Sequence, residues 1–374
     1  MDDTKRTIQP LRSRRQPVVI GTGLVALDVV IPNGLAADPQ LCAGGTCGNV
    51  LTALAFLGWR SYPIARLRSD GASKRVATDL RQWGVNLDFV TFDDDGSTPV
   101  VIQHIRNSDT GEPVHSFSRK CPCCGKILPW YKAVRVTDVD GFADRLPKPQ
   151  VFFFDRTSRG ALSLAKQARD EGAIVFFEPS AASDPTHLDE ALKLAHIVKV
   201  SSDRIGGNER VLTSTKPAIT IETRGSKGLR LRFAGSQRED VGRKWHKMPP
   251  IPVERLRDTA GAGDWCTAGI IHMLGAMAAK GIDNLTLAEV REAVKVGQAM
   301  ASWACGFDGP RGGMYVSEKT SFEKSVLGLL SGQAESVTQL NKAAGVARKL
   351  PAFACESCSV KEESRSTTHR TRQR

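Results

Sequence analysis

The chain has 374 residues, of which 41% are hydrophobic and 25% are charged, and its formal net charge is +12. These values are ordinary for a folded globular protein and exclude a fibrous or wholly disordered chain. No apolar run approaches the roughly 20 residues that cross a bilayer. The first 17 residues are basic and polar and lack the apolar stretch of a secretory signal. The sequence therefore predicts a cytoplasmic protein without a membrane segment.

The positive charge is concentrated at the two ends of the chain. Residues 1–16 and residues 361–374 each carry a net charge of +3, so half of the excess lies in two segments that we expect to be disordered. No nucleic-acid-binding motif accompanies this charge, so nucleic acid is not an expected partner.

Residues 17–335 alternate short β-branched runs with helical patterns, which is typical of an α/β fold with a mostly parallel sheet. Strands are predicted at Val18–Ile20, Ala173–Phe177, Ile197–Val200, Ala218–Glu222 and Leu229–Phe233. Helices are predicted at Gly48–Leu57, Lys74–Trp83, Gly160–Glu171, Leu188–Ala195, Gly263–Lys280, Leu287–Cys305 and Glu318–Leu330. Residues 98–136 break this alternation and are predicted to form a small inserted subdomain. Residues 336–374 are predicted to hold one more helix, a cysteine pair and the basic tail.

The most informative segment is the glycine loop, Asp258-Thr259-Ala260-Gly261-Ala262-Gly263-Asp264. It precedes an apolar, alanine-rich helix, whose first amides would point outward and bind phosphate oxygens. An acidic residue there would repel phosphates, so Asp264 is predicted to act as a base that accepts a hydroxyl proton. The structural alternative is that Asp264 only favours the helix N-terminus, which is worth about 0.5–2 kcal/mol.

The glycine loop resembles the Asp-Thr-x-Gly-Ala-Gly-Asp signature of the ribokinase/PfkB carbohydrate and nucleoside kinases. Further collinear segments resemble the same family over residues 17–330. They are Gly21–Asp28, the run Ala43-Gly44-Gly45-Thr46-Cys47-Gly48-Asn49-Val50, the run Thr223-Arg224-Gly225-Ser226-Lys227-Gly228, and Arg311-Gly312-Gly313. The resemblance implies a ribokinase-like doubly wound sheet, flanked by helices, with a small β lid. Residues 98–136 lie about where that lid belongs.

The resemblance also implies a role for each matching residue. Asp264 would be the catalytic base, and the amides of Gly261, Ala262 and Gly263 would form the anion hole. The acceptor's hydroxyls would be held by Asp28, Gly45 and Asn49. ATP would be bound by Thr223, Gly225 and Gly228 at its phosphates and ribose, and by Gly312 and Gly313 near its base. The cofactors implied are ATP and Mg²⁺, the acceptor is a sugar or a nucleoside, and a homodimer is possible in this family.

One segment departs from the family pattern. The family usually carries an Asn-x-x-Glu motif that helps to place magnesium, whereas this chain has Ser201-Ser202-Asp203-Arg204 at the matching position. Asp203 is a candidate substitute. The departure leaves open a second class of function, in which a catalytically weak kinase fold binds a nucleotide or metabolite and acts through partners. The intact Asp264 favours the enzyme.

Two Cys-x-x-Cys pairs are a second departure. Cys121 and Cys124 are followed by glycine, which is the spacing of a zinc knuckle, and Cys355 and Cys358 form a distant second pair. If the C-terminal segment folds back onto the lid, these four cysteines would form a closed structural zinc site. The alternatives are unrelated reduced thiols, a redox pair, or a site completed by His104 or His115.

Overall fold

The computed structural model describes residues 16–31, 39–109, 113–179, 183–206, 208–234, 244–278, 281–333, 355 and 358. Residues 1–15 of the predicted N-terminal tail lie outside these ranges, as does the predicted C-terminal region apart from Cys355 and Cys358. Within the described ranges, no helix is both long enough and apolar enough to cross a membrane.

The strands, in chain order, are β1 (Val18–Thr22), β2 (Ala26–Ile31), β3 (Gln40–Gly44), β4 (Arg60–Leu67), β5 (Val90–Phe92), β6 (Val100–Asn107), β7 (Pro113–Ser118), β8 (Val151–Phe154), β9 (Ile174–Phe177), β10 (Ile197–Ser201), β11 (Ile219–Thr223), β12 (Leu229–Phe233) and β13 (His246–Met248). The helices are α1 (Thr46–Phe56), α2 (Gly71–Gln82), α3 (Val136–Asp140), α4 (Arg159–Asp170), α5 (Pro185–Leu194), α6 (Arg210–Thr213), α7 (Ala262–Ala276), α8 (Leu287–Ala304), α9 (Gly312–Val316) and α10 (Lys319–Ser331).

Nine strands form the central sheet in the order β13-β12-β11-β10-β9-β8-β1-β4-β5. Every neighbouring pair is parallel except β11–β12 and β12–β13. Because successive side chains of a strand point to opposite faces, Phe153 joins the core formed with α1, α7, α8 and α10, whereas Phe152 and Phe154 join the core formed with α4 and α5. Both faces of the sheet are therefore covered by helices, as expected for a parallel sheet.

A second sheet of four strands, the lid, has the order β3-β2-β6-β7. Only β6 and β7 come from residues 98–136, where the sequence placed the lid. Strand β2 pairs parallel with β6, so that Leu27 lies opposite Val100, and β3 pairs antiparallel with β2. The chain passes from β1 in the central sheet directly to β2 in the lid, which links the two sheets close to the N-terminus of α1.

The five strands and seven helices predicted from the sequence are present, and each begins within three residues of its predicted start. The largest differences occur where a polar cap extends a helix toward its N-terminus. Asp70 caps α2 by accepting a hydrogen bond from Ser73 N at 2.7 Å. Asp184 caps α5 ahead of Pro185, with Thr186 N donating at 3.0 Å. Apolar periodicity finds the body of a helix, whereas the cap sets its first residue.

Candidate active site

The glycine loop is held in place by its first residue, Asp258, which is buried. Its carboxylate accepts hydrogen bonds from Ala260 N and from Gly309 N, both at 3.0 Å. Gly261 then caps α7 in the left-handed region, with φ 75°. A Cβ on Gly261 would lie 2.5 Å from the Cα of Pro310, so only glycine fits this turn. The loop therefore brings the first amides of α7 to the end of the central sheet.

Asp264 lies in the first turn of α7 and is partly buried. Burial and, to a lesser extent, the nearby Glu178 carboxylate raise the pKa of its carboxyl to about 8, against the opposing effect of the hydrogen bond from Asn49. Asn49 Nδ2 donates a hydrogen bond to Asp264 Oδ2 at 2.8 Å. A carboxyl group that titrates near neutral pH and is already oriented by an amide is suited to proton transfer.

The residues predicted to hold the acceptor are joined to Asp264 by a continuous set of hydrogen bonds. The Gly45 amide donates to the Asp28 carboxylate, Asn49 N donates to Gly45 O at 2.8 Å, and Asn49 in turn binds Asp264. A Cβ on Gly44 would lie 1.9 Å from Asp28 Oδ2, so only glycine fits where strand β3 approaches the Asp28 side chain of β2. The structure therefore brings together Asp28, Gly45, Asn49 and Asp264.

Asp28 is buried, and burial raises the pKa of its carboxyl to about 7 against the opposing charge of Arg311. Arg311 forms a buried ion pair with Asp79 at 2.5 Å. Tyr315 donates a hydrogen bond to the same carboxylate at 2.9 Å. In the sequence, Arg311 is notable only as part of a glycine motif, which gives no indication of this ion pair.

A second missed group lies close to Gly263 of the glycine loop. Glu178, at the end of β9, forms a buried ion pair with Lys199 of β10 and accepts a hydrogen bond from Thr267 Oγ1 at 2.5 Å. A Cβ on Gly263 would be 3.8 Å from Lys199 Nζ. Burial opposes the charging of Lys199, but Glu178 outweighs it, so that the pKa of Lys199 is raised. The sequence did contain a signal for this ion pair, because Lys199 lies within a hydrophobic strand and Glu178 follows directly after another.

The residues predicted to bind ATP fall into two groups. Thr223 ends β11, and Gly225 and Gly228 form the turn that follows, in which Gly228 N donates to Gly225 O at 3.0 Å. Gly312 and Gly313 lie in α9, and Gly313 packs against aromatic rings, since a Cβ on Gly313 would lie 2.3 Å from Trp303. The structure thus gives α9 a packing role, and its contact with the base of ATP stays a prediction.

The segment that departs from the family motif lies beside Thr223, because Ser201 is its register partner across β10 and β11. Ser202–Arg204 forms a single 3₁₀ turn, in which Ser202 Oγ donates to Asp203 Oδ1 at 3.1 Å. The Arg204 guanidinium is near enough to Asp264 to oppose the rise in its pKa, and it lies 5.9 Å from the ring of Phe117 in the lid. A cation therefore stands where the family motif has a carboxylate.

The lid contacts the glycine loop through two side chains. Gln103 of β6 donates to Asp258 Oδ2 at 2.5 Å, and His115 Nδ1 lies 3.1 Å from Asp258 Oδ1. His115 Nδ1 is also 3.1 Å from Thr259 Oγ1. These contacts place the inner face of the lid over the loop that carries Asp264.

Comparisons with known proteins agree with this architecture, although no family model matches the chain. The chain is 28% identical over 289 residues to the fructokinase of Klebsiella pneumoniae, covering 71% of this chain and 86% of that protein. The ATP-bound fructokinase of Xylella fastidiosa superimposes with a TM-score of 0.62 at 20% identity, over 85% of this chain and 99% of that one. The aminoimidazole riboside kinase of Salmonella enterica, complexed with aminoimidazole riboside and an ATP analog, gives a TM-score of 0.60 at 20% identity, over 83% and 99% of the two chains.

The central sheet and the four-stranded lid together define the ribokinase fold. In sequence, the chain is similar to a fructokinase of Klebsiella pneumoniae and to a probable fructokinase of Arabidopsis thaliana, which supports a carbohydrate kinase of the ribokinase/PfkB type. The fold and the class of enzyme predicted from the sequence are thereby confirmed, and the similarity to fructokinases supports the predicted family.

Proposed function

We propose that the protein transfers the γ-phosphoryl group of ATP to a hydroxyl group of a sugar, with Asp264 as the general base. The observation that carries this proposal is the Asp264 carboxyl at the N-terminus of α7, with a pKa of about 8 and a hydrogen bond from Asn49. Burial that raises the pKa of a carboxyl destabilises the fold when the carboxyl is ionised, so the position of Asp264 is better explained by catalysis than by stability.

The reaction follows from the positions of these groups. The Asp264 carboxylate accepts the hydroxyl proton while the acceptor oxygen forms a bond to the γ-phosphorus. The bond between that phosphorus and the bridging oxygen of ATP breaks, and ADP leaves with the electron pair. The amides of Gly261, Ala262 and Gly263 stabilise the charge that develops on the phosphoryl oxygens, which is worth about 3–4 kcal/mol for a well-placed donor.

The proposal of an acceptor site is supported by buried polar atoms that lack hydrogen-bond partners in the described part of the chain. Asn49 Oδ1 and the Tyr131 hydroxyl are both of this kind. Burial raises the pKa of Tyr131, and the charges of Asp155 and Arg156 act on it as well. Because an unpaired buried polar atom costs about 1–3 kcal/mol, a site that keeps such atoms is expected to pair them with a ligand. The hydroxyl groups of a sugar would supply that pairing beside Asp28.

The residues at the magnesium position do not fit direct ligation of the ion. Mg²⁺ prefers carboxylate and other oxygen ligands, whereas Arg204 is a cation and Glu178 is already paired with Lys199. Asp203 is the exposed carboxylate of this segment. We therefore assign the charge compensation near the phosphates to Arg204 and derive no step through a protein-bound magnesium.

A nucleoside acceptor is the second candidate, and the lid carries the observation that favours it. Side chains two apart on a strand share a face. His115 faces the glycine loop, so Phe117 faces the same way, and its ring is 47% exposed. An exposed ring on the inner face of a lid is suited to stacking against a base. Trp130, a second aromatic ring of residues 98–136, is 39% exposed and has the Arg119 guanidinium 4.7 Å from its centre.

The test is ADP formation by the purified protein with ATP and Mg²⁺ against a panel of ketoses, aldoses and nucleosides. We expect turnover with a sugar, lost in Asp264→Asn and retained in Asp140→Asn, a control on an exposed aspartate of α3. Turnover with a nucleoside that falls in Phe117→Ala would favour the second candidate. ATP binding without turnover of any acceptor would favour the nucleotide-binding protein over the kinase.

A further inference from the structure

Four cysteine sulfurs meet beside the lid, where the loop after β7 contacts Cys355 and Cys358. Cys121 Sγ lies 3.8 Å from Cys358 Sγ, and Cys124 Sγ lies 3.6 Å from Cys355 Sγ. All four sulfurs are within 4.8 Å of one another. The two pairs are more than 230 residues apart in sequence, so the fold alone brings them together.

The spacing of the sulfurs discriminates between two states of the cluster. A disulfide needs two sulfurs about 2.05 Å apart, much closer than either of these pairs. Zinc bonded to four thiolates at about 2.3 Å in a tetrahedron places neighbouring sulfurs about 3.8 Å apart. The observed distances of 3.8 Å and 3.6 Å agree with an edge of that tetrahedron.

The loop that carries the first pair is shaped as a metal knuckle. Cys121 N donates to Lys126 O at 2.8 Å, and Gly125 N donates to Cys121 O at 2.9 Å, which closes a tight turn around the pair. Gly125 has φ 74°, a conformation that glycine adopts readily. The Lys126 amide donates to the sulfur of Cys124, and backbone donors of this kind stabilise a thiolate.

The second pair repeats part of this arrangement. Cys358 N donates to Cys355 O at 2.9 Å, and the same amide also bonds the sulfur of Cys355. Cys121 and Cys355 are buried in the main hydrophobic core, so both pairs are anchored from the inside. His115 is engaged by Asp258 and Thr259, so it does not complete the cluster.

We propose that Cys121, Cys124, Cys355 and Cys358 bind one structural Zn²⁺ that fastens the C-terminal segment to the lid. Four thiolates fill the tetrahedral shell and leave no open position, so the ion has no catalytic role. Four thiolates and Zn²⁺ carry a net charge of −2, and the exposed side chains of Lys120 and Lys126 on the same loop offset it. The site is independent of the phosphoryl transfer proposed above.

The test is the metal content of the full-length protein, measured by mass spectrometry of the elements after exhaustive dialysis. We expect one zinc per chain in the parent protein and less than a tenth of that in Cys124→Ser. Cys123→Ser is the matched control, because Cys123 lies in the same loop but is exposed and outside the cluster of sulfurs. It should retain the full zinc content.

A second measurement needs no variant and so does not depend on whether a mutant folds. Titration of the zinc protein with a mercurial thiol reagent should release the zinc as four thiols react, and cobalt in place of zinc should give the visible bands of a tetrahedral thiolate site. Two disulfides in the intact mass, four thiols that react without metal release, or iron in place of zinc would each overturn the proposal. None of these readouts depends on kinase activity.

Discussion

The glycine loop and the cysteine cluster use buried polar groups in opposite ways. Around the loop, Asp264 has a pKa of about 8, and Asn49 Oδ1 lacks a partner in the described part of the chain. These groups therefore remain available to bind a substrate. In the cluster, the four sulfurs lie within 4.8 Å of one another, and the sulfurs of Cys124 and Cys355 accept hydrogen bonds from backbone amides. Groups kept unsatisfied suit a site that binds and releases substrates, whereas a closed set suits a permanent anchor.

The difference predicts that the two regions respond oppositely to mutation. Removing a charge from the glycine loop should cost activity and gain stability. Removing a ligand from the cysteine cluster should cost stability and leave the chemistry of Asp264 unchanged.

Asp264→Asn should lower kcat by about 10²–10⁴-fold, the usual contribution of a general base, because the amide cannot accept the proton. The same change should stabilise the fold at alkaline pH. The pKa of Asp264 is about 8 in the folded protein and 3.8 in a free aspartate. The folded protein therefore favours the protonated form of Asp264. Its contribution to the free energy of unfolding is fully present below pH 4 and is lost as the pH rises through about 8.

Urea unfolding of the parent and of Asp264→Asn should separate these effects. We expect the variant's advantage in the free energy of unfolding to be about 2 kcal/mol greater at pH 8 than at pH 5, allowing for the partial exposure of the side chain. The control Asp140→Asn should show no such dependence. An equal advantage at both pH values would contradict the raised pKa.

Loss of the metal should have the next largest effect, and it should fall on stability. Cys358→Ser removes one ligand of the proposed zinc site, so we expect Tm to fall by about 5–10 °C and to become insensitive to added chelator. Cys123→Ser should keep the Tm of the parent and its response to chelator. Because the lid contacts the glycine loop elsewhere, through Gln103 and His115, the pH dependence of kcat/KM should be unchanged. A shift in that profile would mean that the two regions are coupled.

The glycine loop could be predicted from the sequence because its residues are contiguous. Asp258 and Asp264 lie within one seven-residue segment, so a short pattern contains both the residue that holds the loop and the proposed base. Asp28, Gly45 and Asn49 needed the family resemblance, because nothing local ties them to Asp264. The structure supplies that tie through hydrogen bonds across more than 200 residues of sequence.

The ion pairs behind the site could not be predicted in the same way. A single charged residue such as Glu178 or Asp79 has no local pattern that separates a buried ion pair from a solvated side chain. Lys199 was the better signal, since it interrupts the hydrophobic strand β10. That β2 forms part of the lid could not be predicted either. Its parallel pairing with β6 joins segments that are distant in sequence, and such pairing leaves no local pattern.

Arg204→Ala should lower kcat/KM for ATP by about tenfold, since the variant loses a guanidinium that can bind phosphate oxygens. The variant should also shift the acid limb of the kcat/KM profile toward alkaline pH. Burial raises the pKa of Asp264 and Arg204 opposes that rise, so its removal lets the pKa increase. Arg204→Lys should retain most of both properties.

The matched control is Arg210→Ala, because Arg210 is also exposed and pairs with Asp189 away from the glycine loop. Equal losses in Arg204→Ala and Arg210→Ala would show that only the total charge of the protein matters. An unchanged pH profile of kcat/KM in Arg204→Ala would show that Arg204 does not act on Asp264.

Glu178→Gln should produce the smallest effect, a shift of the same acid limb in the opposite direction. After burial, the Glu178 carboxylate is the main cause of the raised pKa of Asp264, and its replacement leaves Lys199 as an uncompensated cation nearby. Both changes favour the Asp264 carboxylate, so we expect the limb to move toward acid by on the order of one pH unit. Glu190→Gln, an exposed change in α5, should leave the limb in place. Opposite shifts in Glu178→Gln and Arg204→Ala would identify Asp264 as the titrating base, because these two residues perturb its pKa with opposite signs.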